Sequence, residues 1–157
     1  MKLYLVQHAE AKREEEDPER SLSEKGWGDI RKVATFVNQQ MNVTVSSIMH
    51  SGKRRAQQTA EILAEYLHPA HGIKQTEGLE PLADPSVWID RISQTKKDIM
   101  LVGHLPHLSK LAAYLLWGDE TKQVIDFHQG GIVCLTQEES GAWLVHWMLI
   151  PEAIKSG

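Results

Sequence analysis

The stretch LYLVQHAEA, residues 3–11, decides the fold of this chain. Its first four residues, Leu3 to Val6, form a short apolar run that is typical of a strand buried on both faces. The run ends at Gln7 and His8, so polar side chains follow directly where the strand stops. In open α/β sheets, ligands bind beyond the carboxyl ends of the parallel strands. The stretch therefore predicts a buried parallel strand with a polar site at its end.

The composition indicates one globular domain over residues 1–157. The chain is 41% hydrophobic, which suffices to bury a core at this length. Its formal net charge of −4 argues against a general nucleic-acid binder or a binder of anionic membranes. Its single cysteine, Cys134, cannot form an internal disulfide, which favours a reducing compartment. Because the opening apolar run is too short for a signal peptide or a membrane span, we expect a cytoplasmic protein.

Strands and helices are expected to alternate along the chain. Apolar runs predict strands at 2–7, 43–49 and 98–102, and a hairpin of strands at 130–136 and 142–148. Apolar residues at helical spacing predict helices after the N-cap candidate Ser23, over about 54–67, and after the 98–102 strand. Between 72 and 97 we expect one short helix and a loop. The alternation predicts a three-layer α/β sandwich, with a mostly parallel sheet, helices on both faces and an antiparallel edge strand.

Three polar segments follow the ends of predicted strands. His8 follows the first strand, and SGKRRAQQTA (51–60) follows the second and begins a helix. GHLPHL (103–108) follows a later strand and precedes another helix. Because the carboxyl ends of parallel strands share one rim of the sheet, we expect the three segments to converge. Histidines, an arginine and a helix N-terminus together favour negative oxygens, so the rim is predicted to bind an anion.

Each of these groups also has a purely structural explanation. A single histidine at a strand end is more often structural than catalytic. Arg54 and Arg55 are compatible with ordinary surface charge, and since adjacent helix residues diverge, at most one of them faces the rim. His104 and His107 suggest a metal pair, but Pro106 lies between them. No cysteine or carboxylate at ligand spacing accompanies the pair, so we expect neither a metal nor a cofactor.

The same segments resemble the motifs of a known family. VQHAE (6–10) is similar to the Arg-His-Gly-Glu signature of the histidine phosphatase (phosphoglycerate mutase-like) superfamily. SGKRRAQQTA resembles that family's Ser-Pro-x-x-Arg-Ala-x-Gln-Thr segment, and LVGHLP (101–106) resembles the motif that carries its second histidine. ERSLSEKGWGDI (19–30) and GDETKQVIDFHQGGIVCLT (118–136) further resemble the small SixA-type phosphohistidine phosphatases. The likeness runs in order over nearly the whole chain.

Carried over residue by residue, the resemblance implies three catalytic roles. His8 is the nucleophile, which attacks phosphorus and becomes transiently phosphorylated. Arg55 holds phosphoryl oxygens, and His104 donates a hydrogen bond or positive charge to the same group. The resemblance further implies a metal-independent phosphatase without a cofactor, whose partner is a phosphohistidine-bearing protein such as a phosphotransfer domain.

The chain departs from the signature at two positions. Gln7 stands where the family has arginine, and Ala9 stands where it has glycine. An amide contributes a neutral hydrogen bond worth about 0.5–1.5 kcal/mol, against roughly 1.5–3 kcal/mol for a charged one. In phosphoryl transfer an arginine can change the rate by orders of magnitude. Lys12, Arg20 and Lys53 are the candidates for supplying the missing charge, and Arg20 is kept as a further phosphate ligand.

Two other functions therefore stay open. A small-molecule phosphomonoesterase needs an acid to protonate its alcohol leaving group, and Glu77, Glu80 and Asp84 are the local candidates. It also needs a substrate pocket, and the region 72–97 holds no insertion large enough for a cap. A catalytically weak phosphate-binding regulatory module is the second alternative, because Gln7 replaces the signature arginine. A phosphohistidine substrate, whose leaving group is an imidazole, depends less on a strong acid and is the hypothesis we favour.

Overall fold

The apolar run near the N-terminus forms the middle of a sheet. The structure, a computed structural model, describes residues 1–155. β1 (Lys2–Gln7) is buried from Leu3 onward, so no face of it meets water. Hydrogen-bonded neighbours lie on both sides, with β4 (Ile99–Gly103) parallel to it and β5 (Ile132–Gln137) antiparallel. The prediction of a buried strand at 2–7 is confirmed.

The other strands extend this centre on both sides. They are β2 (Ser47–His50), β3 (Ile73–Gln75) and β6 (Trp143–Leu149). The six strands found in residues 1–155 form one sheet in the order β3-β2-β4-β1-β5-β6. β3, β2, β4 and β1 run parallel, whereas β5 is antiparallel to both β1 and β6. The mostly parallel sheet with an antiparallel strand at its edge is thus confirmed.

Four α-helices connect the strands in the described part of the chain. They are α1 (Glu24–Gln40), α2 (Arg54–Leu67), α3 (Ser86–Gln94) and α4 (His107–Trp117), and a 3-10 helix follows at Pro151–Ala153. α1 begins where expected, because the Ser23 hydroxyl accepts the Gly26 N–H at 3.0 Å and caps the first turn. α2 ends at Leu67, because the left-handed backbone of the following His68 (φ 47°) breaks the helix. No helix in residues 1–155 is long and apolar enough to cross a membrane.

The helices cover the two faces of the sheet. In β1, Tyr4 and Val6 pack into a cluster with α1 and α2, whereas Leu3 and Leu5 pack into a cluster with α3 and α4. These four side chains are at most 1% exposed, and burying a side chain of this size stabilises the fold by about 1.5–3 kcal/mol. The alternation of side chains in β1 therefore holds three layers together, as predicted.

The expected strand at 43–49 is wrong at its start. β2 begins at Ser47, because its neighbour β4 begins only at Ile99 and the two residues are paired. Val43 and Val45 are buried in the core without belonging to a strand. Their apolar side chains therefore gave a strand-like pattern although no neighbouring strand is present to pair with them. The other predicted strands differ by at most two residues at either end.

A strand also occurs where only a helix and a loop were expected. β3 pairs in parallel with β2 at the edge of the sheet, and it is three residues long. Ile73 is half-buried, whereas Lys74 and Gln75 are exposed. A strand this short and this exposed has almost no apolar pattern, which is why sequence periodicity did not reveal it.

Candidate active site

Three neighbouring strand ends bring the predicted site residues to one rim. β2, β4 and β1 are adjacent and parallel, so their carboxyl ends lie side by side. His8 follows β1, and its backbone N–H donates to the carbonyl oxygen of Gly103, the last residue of β4, at 3.0 Å. His104 comes next in the chain, and its ring centroid lies 5.1 Å from that of His8. The sheet register therefore places the two imidazoles against each other.

The tautomer of His8 follows from its own backbone contact. Nδ1 lies 2.7 Å from the carbonyl oxygen of Ala9. A carbonyl oxygen only accepts hydrogen bonds, so Nδ1 carries the ring proton and donates it. Nε2 then keeps its lone pair. The arrangement leaves His8 with a nucleophilic nitrogen on the side of the ring opposite to Ala9.

Burial keeps the His8 ring neutral. The side chain is largely buried, and this burial lowers the pKa of His8 to about 4, although the Ala9 carbonyl opposes the shift. The guanidinium charges of Arg55 and Arg20 lower the pKa further. At neutral pH the lone pair on Nε2 is therefore not blocked by a proton.

A buried serine contacts the His104 ring. His104 is 2% exposed, and its Nε2 lies 2.6 Å from the hydroxyl oxygen of Ser51. Burial lowers the pKa of His104 to about 3, and the neighbouring His8 ring and the positive charges of Arg55 and Lys53 act in the same direction. Of the two roles expected for His104, a neutral ring supports the donated hydrogen bond in the free protein.

The structure distinguishes between the two adjacent arginines. Arg54 is exposed, whereas Arg55 is half-buried and acts electrostatically on both His8 and His104. The two side chains leave the first turn of α2 in different directions, as adjacent helix positions must. Of the two arginines, Arg55 is thus the one whose charge acts on the imidazole pair.

Of the buried polar side-chain atoms that lack a protein partner in residues 1–155, half belong to residues of this rim. These are Gln7 Oε1, Arg55 Nε and His104 Nδ1, and the others belong to Trp88 and His107. An unpaired buried polar atom costs about 1–3 kcal/mol, so a purely structural cluster would have been expected to pair them. Arg55 Nε–H is a donor that an anionic oxygen can satisfy. Gln7 Oε1 is an acceptor, so among the unpaired atoms named at the rim the Arg55 Nε–H is the one whose donor role suits a phosphoryl oxygen.

Arg20 provides a positive charge that acts on His8, whereas the side chain of Gln7 is neutral. Gln7 is 9% exposed, and its side chain is a neutral amide. The Arg20 backbone lies in the left-handed region (φ 51°), and Arg20 Nε donates to the Lys12 carbonyl oxygen at 3.1 Å. Among the three candidate cations, Arg20 acts on His8 and Lys53 acts on His104. Lys12 appears instead beside the carboxyl groups of its own loop.

Sequence reasoning assigned no role to Thr59, which connects the site residues. Its hydroxyl oxygen accepts the Ala9 N–H at 3.0 Å and donates to the Arg55 carbonyl oxygen at 2.8 Å. The neighbouring Gln58 accepts the Leu22 N–H at 2.8 Å through its side-chain oxygen. The only signal was the likeness of the 51–60 segment to the family motif, which includes both residue types.

Two glycines allow α1 and the segment before β5 to pack closely against the residues around His8. A Cβ at Gly26 would lie 2.0 Å from the carbonyl oxygen of Glu10, so α1 packs there only because the residue is glycine. Gly130 has a φ of 78°, and its N–H donates to the Gln7 carbonyl oxygen at 2.9 Å and contacts the His8 carbonyl oxygen at 3.3 Å. The end of β1 is thus held by backbone contacts on two sides.

In the described chain, the contacts shown for Glu80 and Asp84 are to groups other than the paired imidazoles. Glu80 and Asp84 act on His107, a different histidine that is fully buried at the start of α4. Glu80 accepts the Gly78 N–H at 3.1 Å, and Glu77 is exposed. Within the described chain, the charged side chains that shift the pKa of the paired imidazoles are cationic and include no carboxylate.

In the part of the chain that the structure describes, the second histidine of the GHLPHL segment, His107, does not belong to a metal-binding cluster. Both ring nitrogens of His107 are buried and lack a protein partner. Across residues 1–155, no group of three or more His, Cys, Asp or Glu side chains is placed to hold a metal ion.

Comparison with known proteins gives the family. A model of the histidine phosphatase superfamily (branch 1) matches residues 3–82. An uncharacterized protein from Picosynechococcus sp. is 32% identical over 142 residues, which cover 86% of this chain and 84% of that protein.

Solved structures show the same fold at lower identity. The protein histidine phosphatase SixA, solved in complex with tungstate, has a TM-score of 0.83 and 23% identity, with 96% of this chain and 97% of that chain covered. The alpha-ribazole phosphatase from Shigella flexneri has a TM-score of 0.76 and 16% identity, and the match covers 100% of both chains. With the motif segments, the rim geometry and the family model in agreement, this chain belongs to the histidine phosphatase superfamily (branch 1).

Proposed function

We propose that this protein hydrolyses phosphohistidine on a partner protein, without a metal, through a phosphorylated His8. The observation that carries the proposal is the His8–His104 pair, with ring centroids 5.1 Å apart and cationic side chains around it. His8 keeps a free lone pair on Nε2, because Nδ1–H donates to the Ala9 carbonyl oxygen. A neutral nucleophile beside fixed positive charge suits attack on an anionic phosphoryl group.

The proposed reaction has two steps, phosphoryl transfer to His8 and hydrolysis of the phosphorylated ring. His8 Nε2 attacks phosphorus, the P–N bond to the substrate imidazole breaks, and the leaving nitrogen takes a proton from water. Water then attacks the phosphorylated His8, which releases inorganic phosphate and the neutral ring, and the proton that this water gives up neutralises the hydroxide left by the first step. Arg55, assisted by Arg20, stabilises the equatorial oxygens, while Gln7 and His104 donate neutral hydrogen bonds. Positioning and electrostatic stabilisation supply most of the catalysis in reactions of this kind.

No carboxylate is among the charged groups that shift the pKa of His8 or His104 in the described chain, which favours a substrate with a labile bond. An alcohol leaving group needs a proton from a positioned side chain, and Glu77, Glu80 and Asp84 do not act on the imidazole pair. An imidazole leaves more readily. The fold match to the protein histidine phosphatase SixA supports the same choice. We therefore expect the partner to be a phosphohistidine-bearing protein, such as a phosphotransfer domain in the cytoplasm.

The test compares two substrates and two histidine variants. The protein is incubated with a phosphohistidine-bearing domain and, separately, with p-nitrophenyl phosphate. We expect wild type to act mainly on the first, His8→Ala to be inactive, and the exposed-histidine control His71→Ala to match wild type. EDTA should leave the activity unchanged.

A rapid-quench experiment addresses the intermediate directly. With labelled substrate, wild type should carry a phosphoryl group that is stable in base and lost in acid, as a phosphoramidate is. His8→Ala should carry none. Turnover that survives in His8→Ala, in a preparation free of contaminating phosphatase, would remove His8 as the nucleophile.

A small-molecule phosphomonoesterase is the second candidate. The match to an alpha-ribazole phosphatase over 100% of both chains favours it, because a phosphatase named for a small-molecule substrate has the same fold. In the substrate comparison this function predicts faster release of p-nitrophenol than of phosphate from phosphohistidine. The regulatory-module alternative predicts that wild type binds inorganic phosphate but turns over neither substrate.

A further inference from the structure

Ser51 occupies a buried position between β2 and α2, beside His104. It is 7% exposed, and its hydroxyl oxygen has two close polar neighbours in the described chain. One is His104 Nε2 at 2.6 Å. The other is the backbone N–H of Lys53, which donates to the hydroxyl oxygen at 3.3 Å. The serine thus links the loop that precedes the Arg55 helix to the histidine that follows β4.

The direction of the Ser51–His104 hydrogen bond follows from the capacity of a hydroxyl group. A serine hydroxyl has one proton to donate and lone pairs with which to accept. Since the Lys53 N–H already donates to the oxygen, the hydroxyl proton is free for His104 Nε2. Nε2 then acts as the acceptor and carries no proton. A neutral imidazole has a single N–H, which in this case must be at Nδ1.

The opposite tautomer leaves more polar groups unpaired. If Nε2 carried the proton and donated to Ser51, the serine hydroxyl proton would lose the nearest acceptor shown for it. Nδ1, which is buried without a protein partner, would then present a lone pair. If the phosphoryl group of the proposed function binds on the Nδ1 side of the ring, a lone pair there would repel its oxygens, whereas an N–H could donate to them. Both considerations favour the same tautomer.

We propose that Ser51 is a positioning residue that fixes His104 as the Nδ1–H tautomer and so directs a hydrogen-bond donor to the phosphoryl group. The part about the phosphoryl group rests on the proposed function, whereas the tautomer does not. His8 and His104 then share the Nδ1–H form for different reasons. A backbone carbonyl imposes it on His8, and a side-chain hydroxyl imposes it on His104.

Long-range ¹H–¹⁵N correlation spectra of histidine-labelled protein test the tautomer without any substrate. In wild type we expect His104 to show an unprotonated Nε2 and a protonated Nδ1, with the signals assigned by their loss in His104→Gln. In Ser51→Ala the ring should change to the Nε2–H form or to a mixture. The Ser47→Ala variant, which truncates a half-buried serine of β2, should leave the wild-type pattern. An Nε2–H form in wild type, or no change in Ser51→Ala, would overturn the proposal.

Two further measurements address the phosphoryl group. Titration with inorganic phosphate should shift the His104 Nδ1–H resonance in wild type. Turnover of a phosphohistidine-bearing domain should fall by about tenfold to a hundredfold in Ser51→Ala, as for other residues that orient a functional histidine. Ser51→Thr, which retains the hydroxyl, should recover most of that loss together with the wild-type tautomer. If wild type has no phosphatase activity, the proposed function fails while the spectra still decide the tautomer.

If Ser51→Ala does not fold, the wild-type spectrum alone decides the tautomer. Loss of activity in Ser51→Ala with an unchanged tautomer would contradict the positioning role and assign Ser51 a different one. An unshifted Nδ1–H resonance at saturating phosphate would contradict the contact with the phosphoryl group.

Discussion

The backbone N–H of Ala9 donates to the hydroxyl oxygen of Thr59 at 3.0 Å, across 50 positions of sequence. The same hydroxyl donates to the Arg55 carbonyl oxygen one helical turn earlier at 2.8 Å. One side chain therefore sets the distance between the segment that carries His8 and the helix that carries Arg55. Ala9 and Thr59 are both fully buried, so water cannot replace the bond if it is removed.

Replacing Thr59 by valine tests this connection. Thr59→Val keeps the shape of the side chain but leaves the Ala9 N–H buried and unpaired, which costs about 1–3 kcal/mol. We expect the free energy of urea unfolding to fall by that amount and phosphohistidine turnover to fall with it. Thr35→Val, at a half-buried position of α1, should change neither quantity appreciably. Unchanged stability of Thr59→Val would mean that the N–H finds another acceptor.

Truncating Arg55 should separate activity from stability. In Arg55→Ala we expect phosphohistidine turnover to fall by about a thousandfold or more, the scale of an arginine that stabilises phosphoryl transfer. The melting temperature should change little, because the side chain is half-buried at the rim and not part of the core. Arg54→Ala removes the exposed neighbouring charge and should retain wild-type turnover. Equal losses in the two variants would indicate an effect of general charge.

Restoring the family's arginine at position 7 tests what the neutral amide does. Gln7→Arg should raise hydrolysis of p-nitrophenyl phosphate more than hydrolysis of phosphohistidine, because the stable ester depends more on charge in the transition state. A modest gain is expected, since arginine is longer and needs a bidentate fit. Initial rates on the two substrates measure the ratio. If wild type only binds phosphate and Gln7→Arg turns over phosphohistidine, the native protein is a binder.

The lowered pKa of His8 predicts a loss of stability on mild acidification. The ring titrates near its ordinary value of 6.5 when unfolded, but only at about 4 when folded. Between these values the unfolded chain binds more protons, so the free energy of unfolding falls as pH falls from about 6.5 toward 4. The full effect of this residue is roughly 3 kcal/mol. Urea unfolding at pH 7.5, 6, 5 and 4.5 should show a shallower decline in His8→Gln than in wild type, and parallel curves would contradict the shift.

Two glycines of α1 form a matched pair for testing close packing. In Gly26→Ala the new Cβ would meet the Glu10 carbonyl oxygen at 2.0 Å, so the helix must move and stability should fall by about 1–3 kcal/mol. Gly28 has open space around it, and Gly28→Ala should add about 0.5–1 kcal/mol through helix propensity. Thermal unfolding of both variants gives the comparison. Similar changes in stability in the two variants would show that helix propensity outweighs the contact with the Glu10 carbonyl oxygen.

Local patterns predicted most of the architecture. The run Leu3 to Val6 is buried because it is apolar without interruption, and the bounds of α2 follow from its apolar spacing. β3 and the start of β2 were not predicted, because they depend on where neighbouring strands begin and not on their own side chains. The family motifs indicated His8, Arg55 and His104, but no pattern in the sequence gave Ser51 or Thr59 a partner.

The sequence by itself therefore determined the three layers of the fold and which segments end at the rim. Apolar residues that become buried recur at the short spacing of a strand or a helix. A sequence pattern therefore indicates them without knowledge of the tertiary contacts. Only the tertiary structure decided how the site residues meet. Ser51 and His104 are 53 positions apart, and the register of β2 against β4 brings their side chains within 2.6 Å. A hydrogen bond of that kind depends on distances of a few tenths of an ångström, which only the packed sheet sets.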